Sequence, residues 1–354
     1  MSNDDPTHRD AVPSLIVAYD QHTPGVQPGA SALRLVESLI ERGHDVEHFV
    51  GDQAYAPNTV PENLQHPLRA LGIKLVMQYP STESGLGQQL QHNGAIMVEG
   101  NWYCPSMAAH PDLIAATTEY RKAIKRVEQD RTLNGAARAE QKTAIKARWK
   151  RLIKQREPFL MRAKENTDAR GKTPLMCPAA GNSPTMSCAL KPNMKGTTNG
   201  RALLPVLNVP KTPGKVCTNK TSTSFDLTDE GKYGQYYQYG SDEWEAHYDH
   251  ARSQVESVNA YVKDESTFAL AQPGRRRMRG RAAQAFLQIM TLAAVNLQRI
   301  RDFLLEREER AGEHEDGITP PPARTRRSRR TAPDTRLFLR ERRRRAQGEQ
   351  PQLT

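Results

Sequence analysis

The sequence predicts an α/β fold carrying a helical, loop-rich insertion, on three observations. Short β-branched apolar runs alternate with an amphipathic helical stretch over residues 14–105, as strands and helices sharing a core do. Helical periodicity resumes at 243 and ends in an apolar stretch at 282–306. Between these blocks the composition changes, first to long Lys- and Arg-dense helical patterns and then to a Pro-, Gly-, Asn- and Thr-rich stretch.

Residues 14–19 (SLIVAY) read as a short buried strand, followed by a turn-rich loop with two prolines and two glycines. Leu33, Val36, Leu39 and Ile40 fall at helical spacing, with Ser31 as N-cap and Gly43 just past the end. Residues 46–50 form a strand ending in GDQAY, residues 71–79 another, and residues 95–104 a hairpin turning at Gly100. The expected division is therefore a disordered lead at 1–13, a first part of the core at 14–105 and an insertion at 106–220. A second part of the core follows at 221–310, holding a helix from 243 and a buried helix at 282–306, and a disordered Arg-rich tail closes the chain at 311–354.

The formal net charge of +11 is concentrated: between Arg324 and Arg345 eleven arginines face only Asp334 and Glu341, leaving +2 elsewhere. Overall charge therefore argues for polyanion binding by the tail more than for a basic channel. No run of about 18 apolar residues is present, so no membrane span is expected. Positions 1–13 lack the apolar stretch of a secretory signal, which points to the cytoplasm. No P-loop, GxSxG or HExxH pattern occurs, which removes the usual cradles for nucleotide, acyl and zinc-peptidase chemistry. His44, His48, His247 and His250 belong to no ligand motif and read as ordinary surface or polar residues.

Two segments carry the chemistry. Asp52 stands directly after an expected strand, and Glu256 stands mid-helix. Arg252, Glu256, Asn259 and Lys263 recur at intervals of four, three and four, which puts them on one helical face. A carboxylate flanked by cations along such a stripe can engage metal and phosphate together; a solvated face with i,i+4 ion pairs is the plainer alternative. The nearby Val255, Val258 and Val262 read as core.

GDQAY resembles the segment around the second aspartate of bacterial insertion-sequence DDE transposases, and RSQVESVNAYVKD resembles the segment around their glutamate. In a large subgroup the signature runs Tyr, two residues, Arg, three residues, Glu, six residues, Lys. Arg252, Glu256 and Lys263 match its last three positions, whereas Tyr248 lies one residue early and Asp249 takes the expected place. The resemblance implies an RNase H-like catalytic core and metal-dependent cleavage and strand transfer at transposon ends. It makes Asp52 and Glu256 ligands of Mg2+ or Mn2+, sets Arg252 and Lys263 on DNA phosphates, and implies a nucleoid-associated enzyme acting as a homodimer on double-stranded DNA.

In that topology helix 31–42 and strand 46–50 would be the first helix and the fourth strand, and strand 14–19 the third. The strand bearing the first aspartate would precede residue 1. Asp4, Asp5, Asp10 and Asp20 are poor substitutes, so the sheet is expected to be incomplete and the chain, as an amino-terminally truncated transposase, inactive on its own. The alternative is a DNA-binding remnant of a mobile element that does no chemistry. Arg275, Arg276 and Arg277, just ahead of the apolar helix, are further phosphate contacts on this reading, and the cations of 118–154 are either backbone contacts or a solvated face. Cys177, Cys188 and Cys217, with the distant Cys104, could close a structural zinc site or remain free thiols.

Overall fold

The computed structural model describes residues 6–7, 11–21, 26–51, 55, 60–80, 86–168, 170–191, 204–263, 269–270, 272–275 and 277–315. The fold is mixed α/β with small sheets. It forms two compact units, one of residues 1–50, 71–73 and 245–354, the other of residues 51–70 and 74–244.

In the first unit, helix α1 spans Pro28–Glu41 and buries Leu33, Val36 and Ile40, as their spacing requires. It begins a turn earlier than Ser31: Pro28 supplies a pre-set φ at the first helical position, and Gln27 rather than Ser31 is the N-cap. Strand β1 (His48–Gly51) follows and straddles the boundary between the units.

Residues 14–19 are not a strand. Several of their backbone groups are served by side chains of helix α8 (Arg281–Glu315) and of Arg42 at the end of α1. Asn296 accepts from the Ile16 N–H at 2.9 Å through Oδ1 and donates to the Ile16 carbonyl at 2.8 Å through Nδ2. Arg299 donates to the Ser14 carbonyl at 2.8 Å, Arg42 to that of Val17 at 3.1 Å, and Arg281 to that of Gln21 at 2.5 Å. An apolar β-branched run can thus be extended without a ladder when long polar side chains satisfy its peptide groups.

Helix α7 (Asp242–Lys263) and α8 occupy the predicted positions, but α8 is not a buried helix. Thr291 and Val295 are buried, whereas Phe286, Met290 and Leu297 are more than half exposed. Its apolar residues run round the helix, and the first unit covers only one side. Of the three valines expected in the core, Val258 is buried, Val262 is half-buried and Val255 faces outward.

The second unit is organised by a meander of β3 (Gln88–His92), β4 (Ala95–Val98) and β5 (Asn101–Tyr103), antiparallel throughout. β4 is buried on both faces: Ile96 and Val98 enter one core with Tyr103, Cys104 and Phe159, while Ala95 and Met97 enter another with Trp102, Met161 and Phe225. The alternation is that of a pleated strand covered on both sides. The turn at Glu99–Gly100 was expected; the one at Asn93–Gly94 was not. Both have two consecutive positive φ values, 52° and 92° at Asn93–Gly94, as a two-residue hairpin turn of matching twist needs.

A methyl group at Gly94 would lie 2.7 Å from the Gly214 Cα, where the chain passes to donate from Val216 N to the Asn93 carbonyl. Gly94→Ala is therefore expected to cost about 1–2 kcal/mol, read as a lowered urea midpoint with an unchanged slope.

Helices α2 (Gln65–Ala70), α3 (Pro111–Ile114), α4 (Ala116–Gln129) and α5 (Gly135–Arg156) belong to this unit, as does β2 (Lys74–Met77), which is shorter than the predicted 71–79. A second antiparallel sheet joins β6 (Arg162–Ala163), β7 (Lys172–Met176) and β8 (Ser222–Asp226); β7 and the short α6 (Lys215–Thr218) lie in the stretch read as irregular. Residues expected in an insertion thus share both cores with the 95–104 hairpin, and the compact division falls near 50 and 244.

Candidate nucleic-acid interface

On α7 the four residues at signature spacing, Arg252, Glu256, Asn259 and Lys263, are all exposed. Arg252 Nη2 lies 2.6 Å from Glu256 Oε1, one turn along the helix, with both side chains more than half exposed. Such a pair contributes at most about 1 kcal/mol and exchanges readily for other partners. The Tyr248 hydroxyl, one turn earlier and nearly buried, hydrogen-bonds Arg252 and with Glu256 raises the guanidinium pKa. Tyr248 therefore supports the arginine from one turn below, although it is out of register with the family signature. Asp249 takes the signature place and lines an open depression with Arg252, Ser253, Glu256, Ser257 and Ala260.

Behind this face lies a cleft of about 630 Å³, lined among others by Ser14, Gln254, Ser257, Tyr261, Arg299 and Asp302. Arg299 spans it, donating to Gln254 Oε1 at 3.3 Å and Ser257 Oγ at 2.9 Å in addition to Ser14. Burial lowers its pKa. Ser257 and Ala260 border both cavities, so the anchoring of α7 by α8 also fixes the exposed stripe.

The remaining sequence candidates fare unequally. Asp52 lies outside the described residues, as do Asp4, Asp5, Asp10, Arg276 and the side chain of Arg275; Arg277 is exposed. The described Asp20 is engaged by α1, accepting from Ser31 Oγ and lying 2.8 Å from Arg34 Nη2. It fastens the extended segment to the helix.

Several of the cations of 118–154 are engaged within the second unit. Arg121 points inward to the carbonyls of Tyr79 and Pro80 and to the Tyr239 hydroxyl. Lys122 pairs with Glu119, Lys142 with Glu128 and Lys150 with Asp242. Arg121 is thereby committed to the fold, whereas the exposed Lys122 and Lys142 pairs exchange as readily as that of Arg252. The histidines are not all on the surface: His250 is buried, and the rings of His48 and His247 stack at 4.4 Å.

Cys177 donates a hydrogen bond to Cys104, which lowers the Cys104 thiol pKa and, with burial, raises that of Cys177. Cys188 packs on the same core, and Cys217 lies in the other. Among the described residues no three or more His, Cys, Asp or Glu side chains converge as a metal-holding group, and no helix is long and apolar enough to cross a membrane.

Sequence patterns had missed one polar cluster, the Arg156–Glu99 ion pair buried in the second unit, with N to O at 2.6 Å. Its members are 57 positions apart, and neither belongs to a motif. No protein-family model matches the chain, and neither a curated protein nor a solved structure does.

Proposed function

We propose that this chain is a double-stranded-DNA-binding protein of DDE transposase descent, gripping the phosphate backbone through the exposed stripe of α7. The observation that carries the reading is the stripe itself. Arg252, Glu256 and Lys263 keep the signature spacing, face outward together, and are backed by a helix anchored through Arg299. Arg252 and Lys263 would each take a phosphate oxygen, and Asn259 between them can donate to another. The order of α1, then β1, then Asp52 is the order an RNase H-like core would have at its second aspartate, and that ancestry is part of the proposal.

Strand cleavage and strand transfer at transposon ends would need Mg2+ or Mn2+ held by Asp52 and Glu256. The described donors alone do not fit a two-metal site. Glu256 is the carboxylate on the stripe and is engaged by Arg252, Asp249 lines the same depression, and Asp52 lies outside the described residues. Phosphate binding by Arg252, Asn259 and Lys263 requires no metal. The second reading, a non-catalytic binder, needs only these three side chains.

Fluorescence anisotropy with a duplex oligonucleotide across a salt series tests the proposal. Affinity should fall steeply with salt, and the Arg252→Ala, Lys263→Ala double variant should weaken binding about tenfold and flatten the log–log slope by about two. An unchanged slope in the double variant would remove α7 from the interface. Nicking of the duplex with Mn2+, abolished by Glu256→Gln, would separate the enzymatic reading from the binding one.

A further inference from the structure

The outward side of α8 carries Phe286, Met290, Ala293, Leu297, Ile300 and Leu304, all exposed. Their intervals of four, three, four, three and four are those of a heptad seam, in which alternate positions meet a facing helix. Over about 27 Å of helix this is a continuous apolar stripe, with Phe286 63% and Leu297 69% exposed. The opposite side is already used, since Val295 is fully buried and Arg299 holds Ser14, while Asn296 at its flank holds Ile16. The helix therefore has two apolar functions, and its own unit satisfies one of them. A seam of this length in contact with water is a binding surface or a source of aggregation.

We infer that α8 is a homodimerisation helix, pairing antiparallel with the same helix of a second copy of this chain. Two features select that occupant. First, the seam is symmetric about the level between Ala293 and Leu297. Turning a second α8 end for end about that level sets Phe286 opposite Leu304, Met290 opposite Ile300, and Ala293 opposite Leu297. Each layer then joins one a position to one d position, and the small Ala293 faces a large leucine, so that one surface is complementary to itself. Second, the charges at the two ends are complementary. Five arginines lie within 275–281, whereas glutamates outnumber arginines five to two within 306–315. Antiparallel pairing brings each basic end to an acidic end and opposes the helix dipoles; parallel pairing would place like charges together. The inference is independent of the transposase reading, because it uses none of the α7 stripe.

Sedimentation equilibrium of the full chain at micromolar concentration should give about twice the 39.7 kDa chain mass. The Leu297→Glu, Ile300→Glu double variant should return the single-chain mass with unchanged far-UV circular dichroism, because both side chains point to solvent. Orientation is read by mixing a Met290→Cys chain with a differently tagged Ile300→Cys chain under mild oxidation. Antiparallel pairing predicts a mixed disulfide, and predominant Met290→Cys self-linkage would overturn it. A monomeric wild type, with the face covered by residues 316–354 or by another protein, would overturn the dimer, as would a double variant that stays dimeric.

Discussion

Replacing Arg156 by methionine is expected to destabilise the second unit by about 3–5 kcal/mol, read from chemical denaturation followed by tryptophan fluorescence. The guanidinium is fully buried against Glu99, with Nη1 at 2.6 Å from Oε2 and neither side chain exposed. Nε donates to the Leu113 carbonyl at 2.8 Å, so the same side chain closes the turn between α3 and α4. Glu99 is also held by the Thr117 hydroxyl at 2.8 Å, and Thr117 in turn accepts from the Trp149 indole at 3.0 Å. Burial works to lower the Arg156 pKa, but Glu99 and Tyr103 beside it outweigh this, and the net shift is upward. Removing the cation leaves a carboxylate without a counter-charge in a site with no water access, and that penalty dominates the result. Glu99→Gln keeps an acceptor for Thr117 but strands the buried guanidinium, so its cost should be similar, and the Glu99→Gln, Arg156→Met pair should cost less than the sum of its parts. A loss under about 1 kcal/mol for Arg156→Met would mean that the pair is hydrated and does not organise this unit.

The network also shows what could and could not be read in advance. Helical spacing located α1, α4, α7 and α8, because each has an apolar face with a local period, whereas α5 was legible from its helix-forming composition. The Glu99–Gly100 turn was legible from the glycine between two apolar runs. The Asn93–Gly94 turn carried an equally strong dipeptide signal, but β3 before it is polar (QQLQH) and did not register as a strand. Nothing local announces that Glu99 will be neutralised from α5, since the pairing depends on tertiary approach over 57 positions. Apolar composition alone placed α8 in the core, yet composition cannot separate a helix buried all round from one with two apolar faces. At the candidate site the spacing of Arg252, Glu256 and Lys263 was fully legible. The share of the 118–154 cations already bound within the second unit was not, because their partners come from other elements.

The extended segment at 14–19 supports the second large effect, a loss of about 2–3 kcal/mol in Asn296→Ala. The carboxamide substitutes for a strand: one side chain both accepts from and donates to the backbone of Ile16, as an adjacent strand residue would. Alanine leaves an N–H and a C=O without partners beneath a helix whose neighbouring Arg299 still holds Ser14. The segment should loosen locally without unfolding α8. Amide exchange at Ile16 should accelerate by about 30- to 140-fold, since each 1.4 kcal/mol is a factor of ten. Asn296→Asp separates the two bonds. It keeps an acceptor for the Ile16 N–H but sets a carboxylate against the Ile16 carbonyl, so amide protection should survive in part while stability still falls. If Ile16 exchanges in Asn296→Ala as it does in the wild type, the segment is held by Arg299, Arg42 and Arg281 alone. Loosening should also reach α7, because Arg299 joins Ser14 to Gln254 and Ser257, which lie beside Arg252 and Glu256 on that helix. Asn296→Ala should therefore weaken duplex binding slightly, by less than the Arg252→Ala, Lys263→Ala variant, and without changing the salt slope, since no phosphate contact is lost.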